Sequence, residues 1–310
     1  MENRFKIVGK NMTPEKRDYF SEKRKESEEE SKKPFVGEME KSEKAREIIR
    51  FINACIAEKF QELGLEYQEI PEEKNHLFSK EGFKKAFPNK DDAVNGFNNS
   101  VNKENIIKVT EDSAKVFKVM LHEMVHAASH GAYYGDIQSN KLREYRTGYV
   151  VSNWHDGEEN VHEHFRAFNE GMIDLIVSEI VKGKLDDINK LLEISKEDWK
   201  NVSWYWDESE LINLIVGKIS DVKREKGKDI YARFEKGLFT GEMMHLRDVE
   251  KVFGKHSLRI LGSWDSTDKG GDPDKVDRYR KIYKFFATDD EGEREKLRQE
   301  LLPEISDFSE

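Results

Sequence analysis

The sequence predicts a predominantly helical α+β protein. Apolar residues recur at helical spacing through most of residues 43–286, and short alternating runs are confined to the region before residue 153. The first 42 residues are dominated by Lys, Glu, Arg and Ser, with few aliphatics. A chain of 310 residues is one large domain or two smaller ones. The expected division is a charged segment over 1–42, a domain over 43–182 and a helical subdomain over 183–310.

Residues 1–42 are rich in Lys, Glu, Arg and Ser, with a Glu28-Glu29-Glu30 block. Such a composition buries too little apolar area to offset the entropy of ordering, so a disordered or loosely helical tail is expected. A helix follows over 42–63, with Ile48, Ile49, Ile52, Cys55, Ile56 and Phe60 at helical spacing. Residues 65–70 alternate like a strand and stop at Pro71. A short helix is expected over 78–87, then a polar loop over 88–102 and a strand over 105–110. Thr110 or Asp112 caps the next helix, which runs to about His130 and stops at Gly131. Val116, Phe117, Met120, Leu121, Met124 and Val125 cover most of its circumference, and a helix of that kind is buried.

Residues 143–152 read as a strand. A helix then starts near Asn160, where Asn160 and Glu163 have capping-box spacing, and carries the stripe Phe165, Phe168, Met172, Ile176 and Ile180. Further amphipathic helices are expected over 185–192, 208–222, 229–239, 248–253 and 276–286. Asp265 to Asp274 lacks the spacing of a calcium loop and reads as a polar loop. Trp204-Tyr205-Trp206 reads as a packing anchor.

Composition narrows the function. The net charge is −10, and lysines are interleaved with glutamates, so the basic patch of a nucleic-acid binder is missing. No apolar run approaches the roughly 20 residues of a membrane span. Cys55 is the single cysteine, which excludes an intrachain disulfide and a four-cysteine metal site. With no apolar leader behind Met1, a cytoplasmic location in a reducing compartment is expected.

The buried helix holds His122-Glu123-Met124-Val125-His126. Histidines four apart project from one helical face about a turn apart, so both imidazoles can reach one metal ion. The glutamate beside them is placed to handle the proton of an activated water. This is the His-Glu-x-x-His zinc-protease pattern. A catalytic zinc takes a third protein ligand, and Glu170 on the following helix is the candidate. Asp174, one turn further on the same face, can accept a ring N–H from a ligating histidine and fix its tautomer.

The pair His122-Glu123-x-x-His126 followed by Asn169-Glu170-x-x-x-Asp174 resembles the thermolysin-like gluzincins, over roughly residues 105–180. The resemblance implies a zincin fold, with a small sheet over an active-site helix and a helical lobe behind. It implies one Zn2+ ion at His122, His126 and Glu170, with Glu123 as general base and Asp174 behind the ligands. Two departures stand out. The stretch from His126 to Glu170 is longer than the linker of thermolysin itself. No motif fixes the Tyr or His that stabilises the oxyanion, for which Tyr145, Tyr149, His155, His162 and Tyr205 are candidates. His155, His162 and His164 are alternative third ligands, whereas Ser129 and Ala132 stand where the metzincin pattern needs Gly and His.

The expected activity is zinc-dependent hydrolysis of a peptide or protein substrate, with residues 104–110 as the sheet edge that receives it. Two other readings remain. One is a non-catalytic zinc module in which Glu123 is idle, and the other is a partner-dependent toxin or effector protease that docks through residues 1–42.

Overall fold

A short apolar strand and one buried aromatic are enough to hold the charged N-terminal segment in place. The computed structural model describes residues 5–9, 12–31, 33–137, 139–153, 162–202, 206–264 and 273–302. Within them the chain is an α+β protein with helices in the majority and small mixed sheets. Its contacts form two units, Met1–Glu144 with Ile176–Trp204, and Tyr145–Leu175 with Tyr205–Glu310. One strand and one long helix have residues in both units.

In the first unit, β1 (Phe5–Val8) pairs parallel with a strand over Gly131–Asp136, and Phe5 faces Gly131 in the register. Helix α1 (Pro14–Ser31) packs Phe20 against Ile7 and Tyr133 in a small buried cluster. The Arg24 guanidinium lies 5.3 Å from the centre of the Tyr133 ring, a cation–π contact. The Tyr19 hydroxyl donates to Asn140 Oδ1 at 2.9 Å, and the Ser27 hydroxyl donates to Asn102 Oδ1 at 2.9 Å. Residues 5–8 and 14–31 are thus strand and helix, so of the two expected readings, disordered or loosely helical, the helical one holds, and the helix is packed. Average composition hides this because very few apolar residues do the anchoring. A Cβ on Gly135 would come within 2.6 Å of the Phe20 ring, so a glycine is required where Phe20 docks.

Ser42 caps α2 (Glu43–Glu62), accepting from the Ala45 N–H, and the helix buries Ile49, Ile52, Cys55, Ile56 and Phe60 as its spacing implies. Residues 65–70 form no strand. The buried Asn53 side chain donates to the Ile70 carbonyl and accepts from the Ile70 N–H, both at 3.0 Å, and so takes the place of a neighbouring strand.

Next come β2 (Asn75–Phe78), α3 (Lys80–Ala86), β3 (Gly96–Asn99) and β4 (Glu104–Lys108). Their sheet has the order β2-β4-β3, with β2 parallel and β3 antiparallel to β4. β4 is therefore the central strand, and the expectation that residues 104–110 form a receiving edge is corrected. The outer side of β2 is met by residues 38 and 39, where the Met39 N–H donates to the Leu77 carbonyl at 2.8 Å. The other edge is β3, which had been read as polar loop. Its Gly and Asn residues are poor strand formers, and the pairing rests on tertiary contacts. Asn98 donates to Asn105 Oδ1 at 2.8 Å and Asn105 to Asn75 Oδ1 at 2.9 Å, a row of amides crossing all three strands. Phe97, on the opposite face, joins the aromatic cluster of Phe78, Phe83 and Phe87.

Helix α4 (Ser113–Ala128) starts at Asp112, whose side chain accepts from the Lys115 N–H at 2.9 Å, and ends two residues before the expected His130. It leads directly into β5 (Gly131–Asp136), a strand the apolar pattern did not reveal.

The long strand read over 143–152 is a hairpin of β6 (Lys141–Thr147) and β7 (Val150–Asn153). It turns at Gly148, whose φ of 55° favours glycine. In the second unit β8 (His162–His164) pairs antiparallel with β7. Helix α5 (Arg166–Leu192) begins six residues after Asn160, behind Phe165 in the left-handed region. The expected capping residue Asn160 lies outside the described residues. The helix expected over 185–192 is the end of α5, beyond a non-helical Lys184.

The helices α6 (Trp206–Lys223), α7 (Gly227–Thr240), α8 (Arg247–Phe253), α9 (Ser257–Gly262), α10 (Pro273–Ala287) and α11 (Glu291–Leu301) complete the second unit. Leu211, Ile215, Phe234, Leu238, Phe253, Ile260, Phe285 and Phe286 are among its buried residues. Helices α9 and α11 were not expected, the one being very short and the other highly charged. The 265–274 loop and the Trp204-Tyr205 pair lie largely or wholly outside the described residues.

Candidate metal centre

Helix α4 presents His122 and His126 a turn apart, as their spacing requires. Their Nε2 atoms are 3.2 Å from each other. Two nitrogens on one tetrahedral zinc, each about 2.0–2.1 Å from it, would be separated by about 3.3–3.4 Å. The imidazoles thus already stand at the spacing of one edge of such a tetrahedron. His122 and Glu123 are buried, at 6% and 8% exposure, while His126 is half-buried.

The buried faces of the helix explain this placement. Phe117, Met120, Leu121, Met124 and Val125 are all buried, and Phe117 packs edge-on against Trp199 and tilted against Phe51. On the sheet side, Gly96 of β3 brings its backbone to α4. A Cβ there would lie 2.6 Å from Val119 Cγ1 and 3.4 Å from Glu123 Cγ. The edge strand therefore passes directly beside the glutamate of the motif. At the end of α4 the Lys103 ammonium donates to the Ser129 carbonyl at 2.9 Å, a cation at the negative end of the helix.

His122 and His126 belong to the first unit and Glu170 to the second. One ligand atom from each of His122, His126 and Glu170 lies within 4.8 Å of the others, and among the described residues this is the group of His, Cys, Asp or Glu able to hold a metal ion. Two neutral imidazoles and one carboxylate form a donor set suited to zinc with a position left over. Asp174 lies one turn beyond Glu170 on α5 and is buried at 2% exposure. His130 and His164 are not part of the group, His155 is outside the described residues, and His162 is described only as part of β8.

Two of the oxyanion candidates can be assessed. Tyr149 is fully buried in the second unit, where its hydroxyl donates to the Phe234 carbonyl at 2.7 Å and meets His245 Nε2 at 2.5 Å. That hydroxyl is committed to the core of its own unit, and burial pushes the phenol well above its ordinary pKa. Tyr145 is half-buried on β6, and Tyr205 lies outside the described residues.

The Tyr149 contact also carries a pH dependence. Burial first, and then the Arg233 and Arg146 cations, lower the His245 pKa to about 4, with Asp248 opposing them. The folded chain holds this imidazole neutral, whereas the unfolded chain protonates it below about pH 6.5. Its contribution to stability is complete above pH 6.5 and is lost as the pH falls toward 4. Across that window, His245→Gln should lose less stability than the wild type, by on the order of 2 kcal/mol. Denaturant titrations at pH 7 and pH 4.5 measure the difference.

Comparison with protein-family models, curated proteins and solved structures finds no match. The gluzincin resemblance rests on the residues themselves.

Proposed function

We propose that this chain is a zinc-dependent peptidase, with His122, His126 and Glu170 holding one zinc ion and Glu123 acting as general base. The observation that carries the reading is the convergence of a carboxylate from α5 on two histidine nitrogens already 3.2 Å apart. An N–H···N hydrogen bond would account for the histidine pair alone. It gives no reason for a third ligand atom within 4.8 Å.

Held by His122, His126 and Glu170, a zinc ion would supply a water of near-neutral pKa and a Lewis acid for the substrate carbonyl. Glu123 takes the proton from the attacking water on its carboxylate and returns it to the leaving nitrogen. Its low exposure keeps bulk water from competing for that proton. Asp174, buried one turn beyond Glu170, would be the carboxylate that orients a ligating imidazole. An extended peptide adds to β3, the last strand of its sheet among the described residues, which runs past Glu123 at Gly96.

A chelator test addresses the reading. Protein stripped of metal and given a mixed peptide library should leave it intact, and one equivalent of zinc should restore cleavage, seen as new termini by mass spectrometry. A restored metal with no new termini would favour the non-catalytic zinc module.

A further inference from the structure

We propose that Asn169 and Gly171, the two neighbours of Glu170 in sequence, form a clamp that aims the Glu170 carboxylate, with Asn169 as a positioning residue. The proposal rests on the reading of Glu170 as a zinc ligand.

The first turn of α5 is tied down on both sides of Glu170. On one side, Asn169 is buried at 1% exposure, and its Oδ1 accepts the Tyr149 N–H at 2.9 Å. The fit there is close, since a Cβ on Gly148 would lie 2.4 Å from Asn169 Oδ1. Gly148 is the turn residue of the β6–β7 hairpin, so the amide of Asn169 replaces what would be a side chain in that turn. Tyr149 is itself immobilised by its hydroxyl contacts to Phe234 and His245 and by an edge-on packing against Phe168. The anchor thus leads from the α5 backbone, through one hydrogen bond, into the core of the second unit.

On the other side, Gly171 meets α6. A Cβ there would lie 2.7 Å from Ile212 Cδ1, 2.8 Å from Glu208 Cβ and 2.9 Å from the Glu208 carbonyl carbon. Backbone atoms are among these neighbours, so the helices cannot part cheaply to admit a methyl group. Successive residues on a helix point about 100° apart. Fixing the residue before Glu170 against the hairpin and the residue after it against α6 therefore fixes the rotation of the helix and the Cα–Cβ direction of Glu170.

The test is a double-mutant cycle read as zinc affinity, by competition with a chelating dye on the full chain. Asn169→Ala should weaken zinc binding by about 10- to 100-fold, as loss of a supporting partner behind a ligand does. In the Glu170→Ala background the same substitution should have no further effect, because the ligand it aims is gone. If Asn169→Ala does not fold, Gly171→Ala disturbs the clamp from the other side and carries the same expectation. Unchanged affinity in a folded Asn169→Ala variant overturns the proposal. So does an equal loss with and without Glu170, which would mean that Asn169 acts on the fold at large. A wild type that binds no zinc overturns the zinc reading itself, a distinct outcome.

Discussion

Glu123→Gln should leave zinc bound and lower the rate of peptide cleavage by at least about a thousand-fold. The substitution changes little besides the proton affinity of the group. Gln has nearly the shape of Glu, which matters at a position where the β3 backbone at Gly96 comes close to Glu123 Cγ. Neither histidine is touched, so the metal site should survive. An amide accepts no proton at neutral pH, and the attacking water then has no base. The readouts are kcat and zinc content on the same preparation. Retained cleavage would remove Glu123 from the chemistry. Loss of both cleavage and zinc would show a damaged site instead of a missing base.

Glu170→Ala should lower zinc affinity by roughly a thousand-fold or more, because it removes one of three protein ligands and the one that carries negative charge. The fold should tolerate the change. Glu170 is half-buried, and its buried neighbours Asn169 and Gly171 keep their contacts with the hairpin and with α6. Competition with a chelating dye gives the affinity, and a melting curve of the metal-free protein separates loss of a ligand from loss of structure. Affinity equal to that of the wild type would move the third ligand elsewhere, with His155 and His162 as the first residues to replace.

The motif helix was legible because its signals are local and strong. Asp112 caps it, its apolar residues cover most of the surface, and the histidine spacing works only on a helix. Glu170 came from the sequence as a candidate, through its place beside Asn169 and four residues before Asp174. The elements that were misread depend on contacts distant in the chain. β3 is made of Gly, Phe and two Asn, and its pairing is held by amide bonds to Asn105 that no periodicity displays. The N-terminal segment looks unstructured by composition, and Phe20 and Arg24 dock only because Tyr133 and Gly135 lie where β5 brings them. The capping-box spacing of Asn160 and Glu163 pointed to a helix start, yet Glu163 lies in β8 and α5 begins at Arg166. The role of Asn169 was out of reach for the same reason, since its partner Tyr149 is on another element.

The zinc content of the purified wild-type chain, by elemental analysis after reconstitution and removal of loosely bound metal, bears most directly on the central claim. About one zinc per chain is expected. A chain with none under those conditions would contradict the account and reduce His122 and His126 to a hydrogen-bonded pair inside a buried helix.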